Sequence, residues 1–123
     1  MFEQLRADDI FKPKSEEEVI QDILFQFNII ENESGIYDVD GDVDLSYSNL
    51  TKLPIKFGCI SGNFDCGRNN LISLENAPRE VYGYFDCRNN KLTSLKGIGE
   101  VKGGIYCDGN LASIEKLMRT VGR

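Results

Sequence analysis

The stretch DVDGDVDL, residues 38–45, sets Asp38, Asp40, Asp42 and Asp44 at every second position. Alternating aspartates offer hard oxygen ligands at the spacing with which a calcium loop begins. Such a loop also wants glycine sixth and a bidentate glutamate twelfth; counted from Asp38, those places hold Val43 and Asn49. The alternation reads better as a β-strand, with the carboxylates on one face and Val39, Gly41, Val43 and Leu45 on the other. A second acidic pair, Asp65 and Asp86, has the same place in successive copies of a repeat. That puts the two carboxylates about 5 Å apart, the separation of a retaining glycosidase pair. No third group tunes either acid, so the pair is not read as catalytic.

The remaining chemistry-bearing residues narrow the field further. Cys59, Cys66, Cys87 and Cys107 form no C-x-x-C pair, which argues against zinc and thioredoxin-like chemistry. The chain has no histidine, so the commonest general base and commonest metal ligand are missing. GEVKGG, residues 99–104, lacks the glycine spacing of a phosphate loop. The expectation is a non-enzymatic protein with no catalytic residue, no cofactor and no metal.

The elements that position these residues follow from an internal repeat. GDVDLSYSNLTKL from Gly41, GNFDCGRNNLISL from Gly62 and GYFDCRNNKLTSL from Gly83 align without gaps, and GGIYCDGNLASI from Gly103 lacks one residue after Asn110. In register run Val43, Phe64, Phe85 and Ile105, then Leu45, Cys66, Cys87 and Cys107. Ser48, Asn69, Asn90 and Asn110 follow, then Leu50, Leu71, Leu92 and Leu111, and finally Leu53, Leu74, Leu95 and Ile114. Val39, Ile60, Val81 and Val101 precede each glycine by two residues. An apolar-x-apolar-x-x-Asn-x-Leu-x-x-Leu unit of about 20–21 residues is the short leucine-rich pattern. One turn cannot bury its apolar face alone, but stacked turns bury a continuous core. The asparagine stands where the chain leaves the strand, with an amide able to satisfy backbone groups in the bend. The seven-residue alternation reads as one strand per turn, with glycine marking a bend or a close backbone approach.

The open ends of such a stack need covers. Ser15 and Glu18 form a capping box before SEEEVIQDILFQF, whose apolar face is Val19, Ile20, Ile23, Leu24 and Phe27. FNII and GIYDV flank ENES and Gly35 as a hairpin into the first turn. At the other end SIEKLMRTV places Ile114, Leu117, Met118 and Val121 on one face of a closing helix. The expected fold is α+β: a right-handed leucine-rich-repeat solenoid of parallel strands between two capping helices. Residues 1–35 form the helix and hairpin cap, 36–112 the solenoid and 113–123 the closing helix, within one structural domain.

The strand face turned away from the core presents further columns. These are Asp40, Ser61, Tyr82 and Lys102; Asp42, Asn63, Tyr84 and Gly104; Asp44, Asp65, Asp86 and Tyr106; and Ser46, Gly67, Arg88 and Asp108. Like charges opposite one another on adjacent strands are unfavourable. The aspartates are therefore either bonded locally, to turns or to Arg68 and Arg88, or kept to meet a partner. The partner-binding set is Asp40, Asp42, Asp44, Asp65, Asp86, Tyr82, Tyr84, Arg88 and Tyr106, because acids beside aromatics can anchor Arg- or Lys-bearing proteins. Net charge runs from −6 over residues 1–35 (nine acids, three bases) to +2 over residues 62–123 (seven acids, nine bases). An acidic front repels bare nucleic acid and anionic membranes and favours a basic protein surface. No apolar run approaches the ~18 residues of a membrane span, and MFEQLRADDIF lacks a secretion pattern, so a cytoplasmic home is expected.

From about residue 27 onward, DVDGDVDLS, LTKLPIKFG, SGNFDC, NNLISL, APREVYGYFDCRNNKLTSL and VKGGIYC carry a resemblance. The chain resembles a family of small leucine-rich-repeat proteins encoded by tailed phages. That resemblance implies an accessory protein in the host cell cytoplasm that binds and inhibits a host protein, such as a defence or nuclease component. The other implied role is a structural or assembly component of the phage particle. A homo-oligomer is compatible with both. The strand reading of residues 38–45 also makes a direct prediction: millimolar calcium leaves the thermal melting temperature unchanged, and a rise of several degrees would restore the loop.

Overall fold

The structure, a computed structural model, describes residues 15–31 and 35–121. The expected cap over 1–35 and closing helix over 113–123 extend past these bounds; residues 1–14, 32–34 and 122–123 lie outside the described residues. Helix α1 is Glu16–Gln26, followed by β1 (Ile29–Glu31) and β2 (Tyr37–Val39). Then come β3 (Val43–Asp44), β4 (Phe57–Ile60), β5 (Phe64–Asp65), β6 (Glu80–Val81), β7 (Phe85–Asp86), β8 (Glu100–Val101), β9 (Ile105–Tyr106) and helix α2 (Ile114–Met118). The fold is α+β, with parallel strands stacked as a solenoid of about three turns.

Each turn contributes two short strands rather than the single seven-residue strand expected. One set builds a five-stranded sheet in the order β1-β2-β4-β6-β8, and the other a four-stranded sheet in the order β3-β5-β7-β9. All neighbours are parallel except β1 and β2, which pair antiparallel and form the expected hairpin. The break falls at the repeated glycine. Gly62, Gly83 and Gly103 each donate their N–H 2.9 Å to the carbonyl of the glycine one turn earlier. A Cβ on Gly103 would stand 2.6 Å from the Gly83 carbonyl oxygen, and one on Gly62 2.7 Å from that of Gly41. The backbones therefore meet at the corner, and only glycine leaves them room.

Inside, Val43, Leu45, Ile60, Phe64, Cys66, Val81, Phe85 and Cys87 are buried in a single cluster with Leu53, Leu71, Leu74, Leu92 and Leu95. The Phe64 and Phe85 rings stack at 5.3 Å between centroids, and Phe57 meets Phe64 edge-on at 5.0 Å. Burying one such leucine or phenylalanine side chain contributes roughly 1.5–3 kcal/mol.

The front of the stack is closed by α1. Ser15 caps it, its Oγ accepting the Glu18 N–H at 3.2 Å and donating to Glu18 Oε1. Only Ile23 is fully buried; Val19, Ile20 and Phe27 pack partly against the core, and Leu24, expected on that face, is exposed. At the back, Ser113 Oγ accepts the Lys116 N–H, and Leu117 is fully buried. Val121 packs partly on the core, whereas Ile114 and Met118, expected on the same face, are exposed. The fourth repeat also departs from its register: Leu111 is 71% exposed instead of buried. The residue missing after Asn110 shortens that turn, and Leu117 closes the stack there instead.

The asparagine column ties each turn to the one before. Asn69 Oδ1 accepts the N–H groups of Ser48 and Leu50, while Nδ2 donates to the carbonyls of Leu45, Cys66 and Gly67. Asn90 repeats this, with Oδ1 accepting from Leu71 N–H at 3.0 Å and Nδ2 donating to Cys66 O at 3.0 Å and Cys87 O at 3.1 Å. Asn110 does the same with Leu92, Cys87 and Cys107. Removing a buried partner leaves each stranded group about 1–3 kcal/mol worse off. Asn90→Ala is therefore expected to cost about 3 kcal/mol or more, against about 0.5 kcal/mol or less for Leu111→Ala, as read by urea unfolding.

Candidate functional site

Asp44, Asp65 and Asp86 pair in direct register across β3, β5 and β7, continuing to Tyr106 on β9. The structure thus brings the third expected column together, but it uses each carboxylate differently. Asp44 is exposed, with Oδ1 accepting the Ser46 N–H at 3.0 Å and its hydroxyl at 2.6 Å. Asp65 is half-buried and accepts the Gly67 N–H at 2.9 Å. Asp86 is only 4% exposed: Oδ1 accepts the Arg88 N–H at 3.0 Å, and the Arg88 guanidinium spans both oxygens, with Nη2 2.8 Å from Oδ2. Asp86 therefore does not face a partner as expected. Buried and charge-paired, it orients Arg88 instead, and Asp86 together with the nearby Asp108 and Asp65 holds the guanidinium pKa above its ordinary value.

The other acids on this face serve as connectors between turns. Asp42 Oδ1 accepts the Asn63 N–H at 2.8 Å, and Asn63 Oδ1 accepts the Tyr84 N–H at 2.9 Å. Two columns away, Asp38 Oδ1 accepts the Cys59 N–H at 2.7 Å. Asp40 accepts the Ser61 hydroxyl at 3.0 Å, and that hydroxyl accepts the Gly41 N–H at 2.7 Å. One oxygen of each acid is committed to the fold, and Asp40, Asp42 and Asp44 remain exposed.

Aromatic groups complete the face. Tyr82, Tyr84 and Tyr106 are exposed, and Tyr84 meets Tyr106 edge-on at 5.8 Å between centroids. The Arg88 guanidinium lies 5.5 Å from the Tyr106 ring centre. Partial burial, then the field of Asp65, Asp42, Asp86 and Asp44, raises the Tyr84 phenol pKa. A hydrogen bond and charge from Glu80 raise that of Tyr82.

One element escaped the sequence reading. Tyr47, 75% exposed, lies 5.5 Å from the Arg68 guanidinium, which therefore packs on a ring instead of joining the aspartates. Tyr47, Arg68, Asn89 and Gly109 form one column, and all have φ between 54° and 76°. That left-handed bend suits asparagine and glycine and disfavours tyrosine and arginine. The Asn–Gly half of the column was the available signal. Tyr47 and Asp44 also line a groove of about 540 Å³ between α1 and the first turn, together with Asp22, Ile23, Gln26 and Lys52.

Cys66, Cys87 and Cys107, which share one register position in the repeat, are free and buried. Burial pushes the Cys66 thiol well up and Cys87 to about 12, so both are protonated and poor nucleophiles at neutral pH. Cys59, outside that register, is less buried. Among the described residues, no group of three or more His, Cys, Asp or Glu is placed to hold a metal ion. No helix of the described residues is long and apolar enough to cross a membrane. No protein-family model, curated protein or solved structure matches the chain.

The face can present ring edges and fixed carboxylate oxygens to ammonium or guanidinium groups. Asp65 gives the face a pH response. Burial chiefly, with Asp86 and Asp44, raises that carboxyl above its ordinary 3.8, against the lowering pull of the Gly67 N–H and Arg88. The folded chain then holds this proton to a higher pH than the unfolded chain, so the contribution to stability falls as pH rises through the folded value. Asp65→Asn keeps an oxygen for the Gly67 N–H and removes the charge. Its melting temperature is expected above that of the parent at pH 7, with the gap narrowing as pH falls towards 3.8.

Proposed function

We propose that the chain is a non-enzymatic protein-binding module of the leucine-rich-repeat kind, encoded by a phage, that occupies and inhibits a host protein in the host cell cytoplasm. The observation that carries this reading is the outer face itself. Exposed Tyr84 and Tyr106, in the third and fourth turns, share this face with exposed Asp40 and Asp44 in the first turn, whose carboxylates are already oriented by hydrogen bonds. Groups fixed before binding lose little freedom on association, and tyrosines are frequent anchors at interfaces. The inferred partner is a basic protein surface, with the acidic front imitating a polyanion and occlusion as the mechanism.

The contacting set is read as the exposed Asp40, Asp42, Asp44, Tyr82, Tyr84 and Tyr106, with Tyr47 added at the groove. The half-buried Asp65 and Arg88 and the buried Asp86 support it. The test is affinity capture from the natural host with the parent chain and with two folded variants, Asp40→Lys/Asp44→Lys and Tyr84→Ala/Tyr106→Ala. Each variant is expected to weaken the captured complex by at least about 30-fold, the loss of roughly 2 kcal/mol of anchor energy. Undiminished affinity in both would move the interface off this face. A second reading, a structural component of the phage particle, draws on the exposed apolar side chains Phe25, Leu111 and Met118 at the two ends. It predicts copurification with virions, whereas an inhibitor appears in the infected lysate alone.

A further inference from the structure

Asp86 and Asp44 share a column but differ in what accompanies them. In the third turn the Arg88 guanidinium pairs with Asp86, Nη2 to Oδ2 at 2.8 Å, and lies 5.5 Å from the centre of the Tyr106 ring. Carboxylate, guanidinium and phenol ring make one contact. In the first turn the residue two places on is Ser46, whose N–H and hydroxyl engage Asp44 Oδ1. Among the described residues no ion pair joins Asp44 to a base. Asp44 and Tyr47 nevertheless line one groove of about 540 Å³ between α1 and the first turn. Arg68 packs on the Tyr47 ring at 5.5 Å, but it is not part of that lining. The groove thus offers the same carboxylate and ring without an arginine of this chain between them.

A second observation comes from the backbone. Tyr47 has φ 55°, a left-handed bend that Asn89 and Gly109 hold at the same register position with little penalty. Its ring is 75% exposed, so core burial does not offset the strain. Strain retained at an exposed side chain points to a use outside the fold. The groove suits that use. Ile23, Leu45 and Leu50 are buried beneath it, and Val19 and Pro54 are half-buried at its sides. Its volume falls in the range of about 300–1,000 Å³ typical of binding pockets. Its charged lining is Asp22, Asp44 and Lys52, two acids against one base. Asp22 and Lys52 have partners of their own, so Asp44 is the acid that meets a ligand.

We propose that the groove between α1 and the first turn takes an arginine side chain of the partner protein, with its aliphatic stem along Val19 and Pro54 and its guanidinium between Asp44 and the Tyr47 ring. A planar guanidinium pairs with a carboxylate and stacks on a ring at once, which an ammonium does not. The stem of such a side chain lies on apolar surface while its head stays polar. This deepens the binding reading above and rests on it for the partner: the groove is where one arginine of the basic surface is anchored.

The test is titration of the full chain with the acetylated, amidated peptide Ala-Ala-Arg-Ala-Ala, read by amide NMR shifts, with the uncharged isostere citrulline replacing arginine as control. Shifts are expected at Val19, Ile23, Tyr47 and Ser48, saturating at millimolar peptide, and the citrulline peptide is expected to bind at least about tenfold more weakly. Asp44→Asn keeps an oxygen for Ser46 and should lose about the same factor, whereas Lys52→Gln should tighten binding. Tyr47→Asn should abolish the shifts with a melting temperature at or above the parent's; a merely structural tyrosine would lower it. Unmoved groove amides, or equal binding of the citrulline peptide, would overturn the proposal. So would the same shifts on concentrating the chain alone, which would assign the groove to a second copy. A host protein captured by a chain whose groove ignores the peptide overturns this proposal and leaves the binding reading standing. Peptide bound at the groove with no host protein captured overturns that reading instead.

Discussion

The structure depends on one recurring interaction, the side-chain amide of an asparagine holding two adjacent turns at the point where each leaves its strand. Asn69, Asn90 and Asn110 have both halves of the amide occupied by backbone groups, from their own turn and the one before. A turn of about 21 residues with strands two to four residues long cannot satisfy its bends through sheet pairing alone. The amide supplies both the donor and the acceptor that the bend lacks. The leucines can then pack inward without stranding polar backbone groups in the core.

The outer face follows the same logic with weaker groups. Asp42 and Asn63 each reach a backbone N–H in the following turn, while Asp44, Asp65 and Asp86 close short local turns. An aspartate column that looks costly from charge alone is therefore partly a set of hydrogen-bond acceptors. The repulsion that remains is concentrated at Asp65, which has acids in both neighbouring turns, and is relieved at Asp86 by Arg88. What is left for a partner is the set of groups whose second oxygen or ring edge still meets solvent.

The core was legible because burial repeats at one spacing: Phe64 and Phe85, Cys66 and Cys87, Leu71 and Leu92 all occupy the places that their register assigns. The asparagines were legible for the same reason, and so was the close approach at Gly62, Gly83 and Gly103. Features at the ends were not, because a terminal turn has a neighbour on one side only. Leu111 and Ile114 keep the repeat's identity without its burial, and Leu117, outside the repeat, takes the buried place. The division of each turn into two strands was masked because alternation continues through the glycine corner. On the outer face, sequence columns gave the company each residue keeps but not its hydrogen bonds. Asp86 and Asp44 share a column, yet Asp86 is buried between two strands and ion-paired with Arg88, while Asp44 is exposed on the end strand and bonded to Ser46.

Native-state amide hydrogen exchange tests the amide-bridged stack most directly. The N–H groups of Leu50, Leu71 and Leu92 lie outside any strand and are bonded to asparagine side chains of the following turn. Protection at Leu71 and Leu92 comparable to that of Phe64 and Cys66 in the middle of the sheet is the expected result, with Leu50 close behind. Exchange of all three at the rate of an open loop, while the sheet stays protected, would contradict it. The asparagine column would then decorate the stack instead of holding it together.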